Sequence, residues 1–156
     1  MCIVDIGDGR AIDIAIKHAL DPREIPQVRV TCCYMLSLTP HASSVRALLG
    51  LLSDDSARVR AEAASSLGWF SGQWGDHDAG SIAAALEPPL SDPDWNVRWE
   101  AARSLFQLRG CQALLAVEQV AGDPSMPEDW KEDVRQDLVR YRRKCRRQLR
   151  RKASEA

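Results

Sequence analysis

The chain has 156 residues, 45% hydrophobic and 28% charged, a balance that excludes disorder throughout and is long enough for one buried core. No run approaches the roughly 18 uninterrupted apolar residues of a membrane span, and Met1–Asp5 lacks the basic-then-apolar layout of a signal peptide. A cytoplasmic protein without membrane contact is therefore expected. The net charge of -1 conceals a division: residues 1–139 carry 12 basic and 21 acidic side chains (-9), residues 140–156 carry 9 basic and 1 acidic (+8). The five cysteines are odd in number and irregular in position, so they are expected to be reduced thiols.

Taken in chain order, the apolar periodicity predicts helices alone, with no period-two stretch that would make a half-buried strand. A first helix is expected from about Arg10 to Leu20, a turn at Asp21-Pro22, and a second helix from Pro26 to Leu38. Thr39-Pro40 offers an N-cap and a first-turn proline for a third helix, whose apolar face is Val45, Leu48, Leu49, Leu51 and Leu52. After Ser53-Asp54-Asp55-Ser56, a fourth helix carries Val59, Ala63, Leu67 and Phe70 until Gly68 and Gly72 weaken its end. The fifth spans Ile82 to Leu90, shortened or kinked by Pro88-Pro89. The sixth starts after Ser91-Asp92-Pro93 and carries Val97, Ala101, Leu105 and Leu108 up to Gly110. Cys111 to Val120 forms the seventh. Ser125-x-x-Glu128 with Pro127 has the form of a capping box opening the last helix.

One phrase recurs through these elements. Val28-Arg29, Val59-Arg60 and Val97-Arg98 are each followed by a small pair (Cys32-Cys33, Ala63-Ala64, Ala101-Ala102) and a leucine (Leu36, Leu67, Leu105). The valines stand 31 and 38 residues apart, a period that marks stacked helical hairpins. A fourth copy, Val134-Arg135, loses the small pair to Leu138-Val139 and the leucine to Arg142. A terminal repeat has no following neighbour, so this loss suits a cap. The expected organisation is an all-α solenoid of about four hairpins over residues 1–139, with a basic helical extension or tail over residues 140–156.

The residues quoted resemble HEAT-like repeats, in particular the subtype named after phycobilisome lyases. The resemblance includes Ile6-Gly7-Asp8-x-Arg10-Ala11 before the first helix and the run from Asp54 to Gly68, and spans about residues 6–138. It implies a hydrogen-bonded ladder between successive repeats, carried here by Arg29, Arg60 and Arg98 with Asp21, Asp54 or Asp55, and Asp92. It also implies that the second helix of each hairpin lines a concave face, and that the chain is an adaptor, a lyase-like protein or a regulator; a toxin-neutralising role is compatible with a short, mostly acidic scaffold.

With valine, small pair and leucine turned to the core, the remaining positions of the second helices become candidates for partner binding. Repeat one supplies Tyr34, repeat two Arg58 and Glu62, and repeat three Trp95, Asn96, Trp99, Glu100 and Arg103. Trp95, Trp99 and Arg103 lie at i, i+4 and i+8 and are residue types enriched in interface hot spots. Packing of both tryptophans between repeats three and four, with Arg103 stacked on Trp99, is the structural alternative. Trp69 and Trp74 are expected to cover the junction of repeats two and three, and Trp130 to plug the end of the core.

Catalysis finds little support. His18, His41 and His77 have no spacing that suggests a metal or a nucleophile, and Asp76-His77-Asp78 is expected to be a solvated turn. Cys32 and Cys33 sit where the repeat demands small core residues, so neither a bilin attachment nor a redox role is needed to explain them. No cofactor or metal is expected. The last helix ends in Arg140, Arg142, Arg143, Lys144, Arg146, Arg147, Arg150, Arg151 and Lys152, a density that attracts phosphates or the protein's own acidic body. The function expected is non-catalytic binding of another protein through the concave face; nucleic-acid association through the tail is the alternative.

Overall fold

The structure is a computed structural model, and it describes residues 9–39, 41–70 and 79–155. Eight α-helices lie among these residues: α1 Gly9–Leu20, α2 Pro26–Ser37, α3 Ala42–Leu51, α4 Ala57–Gly68, α5 Ala79–Ala85, α6 Trp95–Arg109, α7 Leu114–Ala121 and α8 Lys131–Ser154. They pair as α1/α2, α3/α4, α5/α6 and α7/α8, and the second helices stack on one another, α2 on α4 and α4 on α6, while α1 packs on α3. The result is an all-α solenoid of about four HEAT-like hairpins, closed by a long basic helix.

The repeated phrase accounts for this stacking. Cys33, Leu36, Val59, Ala63, Ala64, Leu67, Val97, Ala101 and Ala102 are all fully buried. The small pairs let neighbouring second helices approach until a hydroxyl on one reaches the backbone of the last. Ser66 Oγ donates to Cys33 O at 3.3 Å, and Ser104 Oγ donates to Ala64 O at 2.8 Å. Both serines stand seven residues after the phrase valine. Gly68 belongs to the same contact, because a Cβ there would lie 2.5 Å from Ser104 Oγ and 2.9 Å from Ser104 Cβ.

Several local expectations are corrected. Helix α3 is capped by His41, whose Nδ1 accepts from the Ser43 amide at 3.3 Å, whereas Thr39 is buried and its hydroxyl donates back to Leu36 O at 3.1 Å. Pro88-Pro89 shortens its helix as expected: α5 ends at Ala85 and the chain turns into a 3-10 segment, Pro88–Ser91, as loss of an amide donor requires. The capping box at Ser125 does not form. Ser125 instead folds its amide (2.8 Å) and hydroxyl (2.6 Å) onto Asp123 Oδ1, and a 3-10 turn, Glu128–Trp130, precedes α8. Trp69 does not cover the repeat junction: it is 69% exposed, since Phe70 beside it occupies the buried position. The stretch Ile6–Asp8, Pro40, Gly72, Trp74 and Asp76-His77-Asp78 lie outside the described residues.

The cysteines also depart from expectation. Cys32 and Cys33 are free and buried, but Cys111 and Cys145 form a disulfide that fastens α8 to the start of repeat four. Separation of 34 residues in sequence hides a Cα–Cα distance of 5.4 Å, within the reach of such a bond. Helix α8 runs without a break through residues 139 and 140. Its inward positions Val134, Leu138, Tyr141 and Cys145 pack on the core. No helix among the described residues is long and apolar enough to cross a membrane.

Candidate protein-interaction face

The four inter-helix turns are built alike. Asp21, Asp54, Asp92 and Asp123 each accept the backbone amide two residues on, at 3.0, 2.8, 2.9 and 2.8 Å. This local turn leaves the second carboxylate oxygen of three of them free to take an arginine from the preceding repeat. Arg29 pairs with Asp54, Arg60 Nε donates to Asp92 Oδ2 at 2.8 Å, and Arg98 Nη2 donates to Asp123 Oδ2 at 3.1 Å. Two of these arginines also bind their own turn: Arg60 Nη1 donates to Asp54 O at 2.8 Å and Arg98 Nη1 to Asp92 O at 2.6 Å. Each of these two guanidiniums therefore ties its own helix, its own turn and the next turn together, which is how a half-buried cation avoids an uncompensated charge.

The ladder corrects two partners. Asp21 has no arginine from a preceding repeat and instead holds Arg23, whose Nε donates at 3.1 Å; Asp55 offers only its backbone carbonyl, to Arg60 at 3.2 Å. The third rung ends on Asp123, a residue that the repeated phrase does not mark. The signal for it is the turn itself, since Asp123-Pro124-Ser125 repeats the form of Asp92-Pro93-Asp94. Burial pushes the Asp92 carboxyl up, but the Arg60 guanidinium and the Asp94 amide outweigh it and hold it below its ordinary range. Hydrogen bonds from Ser125 and the nearby Arg98 likewise hold Asp123 low.

The candidate binding residues divide into two groups. Trp95 and Trp99 are buried, Trp99 to 1% exposure, so neither offers a surface. Their rings stack at 5.7 Å, Trp130 leans on Trp95 at 5.9 Å, and Trp95 Nε1 donates to Val120 O at 3.2 Å. The three indoles form the wedge between repeats three and four. The correction has a physical cause: α7 and the start of α8 cover the stripe of the last second helix that the repeat pattern leaves open. Arg103 is engaged along its own helix. Its Nη1 donates to Glu100 Oε1 at 2.9 Å and to Glu100 Oε2 at 3.2 Å. Asn96 is half-buried, with a buried Oδ1 that has no hydrogen-bond partner.

What remains open across the second helices is a polar strip. Tyr34 is 56% exposed on α2, and Arg58 Nη2 of α4 donates to Gln27 Oε1 of α2 at 2.9 Å. Glu62 on α4 and Glu100 on α6, neighbouring helices, are both half-buried. Burial, and then the charge of Glu100, raise the Glu62 carboxyl above its ordinary range. Burial alone would lower the Arg103 guanidinium, but Glu100 and Tyr141 keep its net shift upward. Arg103 thus answers Glu100, while no ion pair answers Glu62 among the described residues. Beside this pair an open cavity of about 330 Å³ lies between α6 and α8, lined by Trp99, Arg103, Trp130, Asp133, Val134, Gln136, Asp137 and Arg140.

Catalytic chemistry gains no geometry here. No group of three potential metal ligands exists among the described residues. Burial pushes the Cys33 thiol up to about 12, so it stays protonated at neutral pH. His18 Nδ1 sits 2.8 Å from Glu24 Oε1, a surface contact.

Residues 12–86 match the family model of HEAT repeats, 75 of the 156 residues. The match covers the first two hairpins and the start of the third, and with the fold it supports a HEAT-like repeat protein. No curated protein matches the chain.

Proposed function

We propose that the chain is a non-catalytic scaffold or adaptor that holds another protein on the face formed by α2, α4 and α6. The observation that carries this reading is the Glu62–Glu100 pair. These are two half-buried carboxylates on neighbouring helices, and among the described residues only Glu100 has an ion-pair partner, Arg103. A half-buried acid held above its ordinary range, as Glu62 is, favours a functional role. The partner best matched to it presents a lysine or arginine to Glu62, with Tyr34 and Arg58 further along the strip. HEAT-like repeats commonly act as such interaction platforms, and the lyase-type resemblance contributes architecture only. The cytoplasmic location expected from the sequence belongs to the same proposal; the redox state of Cys111 and Cys145 in cells bears on it.

The test is affinity capture from the native host followed by mass spectrometry, with wild-type and Glu62→Lys chains in parallel. Glu62→Lys is expected to lose the wild-type partner by tenfold or more while keeping its helical circular dichroism and melting temperature. Equal recovery of the same partner by both folded proteins removes this face from the assignment. Trp99→Ala is unsuited to the purpose, because it empties a buried site.

A further inference from the structure

Helix α8 outlasts the body on which it packs. Tyr141 lies 4.2 Å from the Phe106 ring, Lys144 Nζ sits 5.5 Å over the same ring, Arg142 Nε donates to Glu118 Oε1 at 2.7 Å, and Cys145 is bonded to Cys111. Beyond Cys145 every described residue is exposed, although the helix continues to Ser154. At 1.5 Å per residue this exposed arm is roughly 13 Å long, held at its root by a covalent bond, with Gln148 Oε1 lying 3.2 Å from Cys111 Sγ beside that root.

The charges on the arm are arranged. At 100° per residue, Arg143, Arg146, Arg147, Arg150 and Arg151 fall on the side opposite Val134, Leu138 and Cys145. Of the other cations of α8, Lys131, Arg135 and Arg140 are engaged with acids three residues earlier, Arg142 with α7 and Lys144 with Phe106, while Lys152 in the last turn lies on the side of Val134 and Cys145. The five outward arginines have no acidic partner among the described residues.

We propose that this arm binds the phosphate backbone of double-stranded nucleic acid without reading its sequence. A row of guanidinium groups matches phosphate oxygens by paired N–H donors. No aromatic ring accompanies them, since Tyr141 is turned onto Phe106, so the base stacking that holds single strands is lacking. A membrane surface fits poorly, because the apolar side of α8 is spent on the core as far as Cys145 and only Leu149 follows. The acidic body keeps a polyanion off the repeats and confines contact to the arm. Five neutralised phosphates correspond to a slope of about -4.5 in log K against log salt, a loss of about 500-fold between 50 and 200 mM.

Fluorescence anisotropy of labelled 20-base-pair DNA and RNA duplexes with the full chain tests this. Binding at 50 mM salt with a slope near -4.5 is expected, as is a loss of at least tenfold in the triple variant Arg147→Gln/Arg150→Gln/Arg151→Gln. The independent pair Arg143→Gln/Arg146→Gln is expected to weaken binding in the same direction, and Glu62→Lys to leave it unchanged, which separates this site from the concave face. Four outcomes overturn the proposal. They are no duplex binding at 50 mM salt, binding indifferent to salt or to both arm variants, preference for anionic phospholipid vesicles over duplex, and self-association abolished by the triple variant in a chain that binds no duplex.

Discussion

Gly68 stands where α4 and α6 come closest, and its missing side chain is what Ser104 occupies. The residue is read in the sequence as the end of a helix, which it is, but it has a second duty that propensity does not reveal. Gly68→Ala adds a methyl group against Ser104 and Gln107, and overpacking of this kind costs about 1–3 kcal/mol. Chemical denaturation is expected to show that loss, whereas Gly50→Ala, with nothing near its Cβ position, is expected to hold or raise stability. Trp95 and Trp99 carry the opposite lesson. Their spacing along α6 is legible, and so is their exclusion from the valine face, yet exposure does not follow, because α6 meets α7 and α8 on a side that earlier repeats leave open. Single-repeat periodicity contains no information about what closes the end.

At the scale of elements, the ladder is legible because each rung uses a side chain at a constant place in the phrase. Arg29, Arg60 and Arg98 follow the phrase valine, and Asp54 and Asp92 sit in the turns. Which aspartate meets which arginine is less legible: the rung crosses to the next repeat, so Asp21 is left at the near end and Asp123 is recruited at the far one. Asp92 shows the energetic consequence. Its carboxyl is held low in the folded protein, so the stability it contributes is present above the ordinary aspartate range near pH 3.9 and is lost as pH falls through the lower folded value. Glu62 acts in the other direction, for its raised carboxyl costs stability at neutral pH and that cost is relieved as pH falls through the raised folded value. Stability measured between pH 7 and pH 2 is therefore expected to decline mainly below about pH 4. Asp92→Ala, which leaves the Arg60 side chain 16% exposed and unpaired, is expected to lower stability at pH 7 by about 2–3 kcal/mol and to flatten the acid decline.

Over the whole molecule, two charged territories meet along α8. Glu128 and Asp129 in the turn before it and Glu132 and Asp133 in its first turn are acidic, and its last third is cationic, an order that also complements the dipole of the helix. The division follows from the sequence alone, because it depends only on counting charges along the chain. Whether the basic segment turns back on the body does not follow, since that depends on where the last inward residue falls, and Cys145 is that residue. The disulfide is equally hidden: an odd cysteine count argues against a framework, but one bond needs only two cysteines brought together by the fold.

That bond also decides how the protein bears tension. A pull applied at the C-terminus passes from Cys145 straight into Cys111, so α7 and the part of α8 before Cys145 lie in a closed loop outside the line of force. In an optical-trap experiment with handles at the two ends, the 34-residue separation is expected to be missing from the unfolding extension under oxidising conditions and to return with a reductant. At about 3.6 Å per residue the recovered length is about 12 nm. A load on the cationic arm would thus be delivered to the root of repeat four and shared with α6, leaving the wedge of tryptophans unstretched.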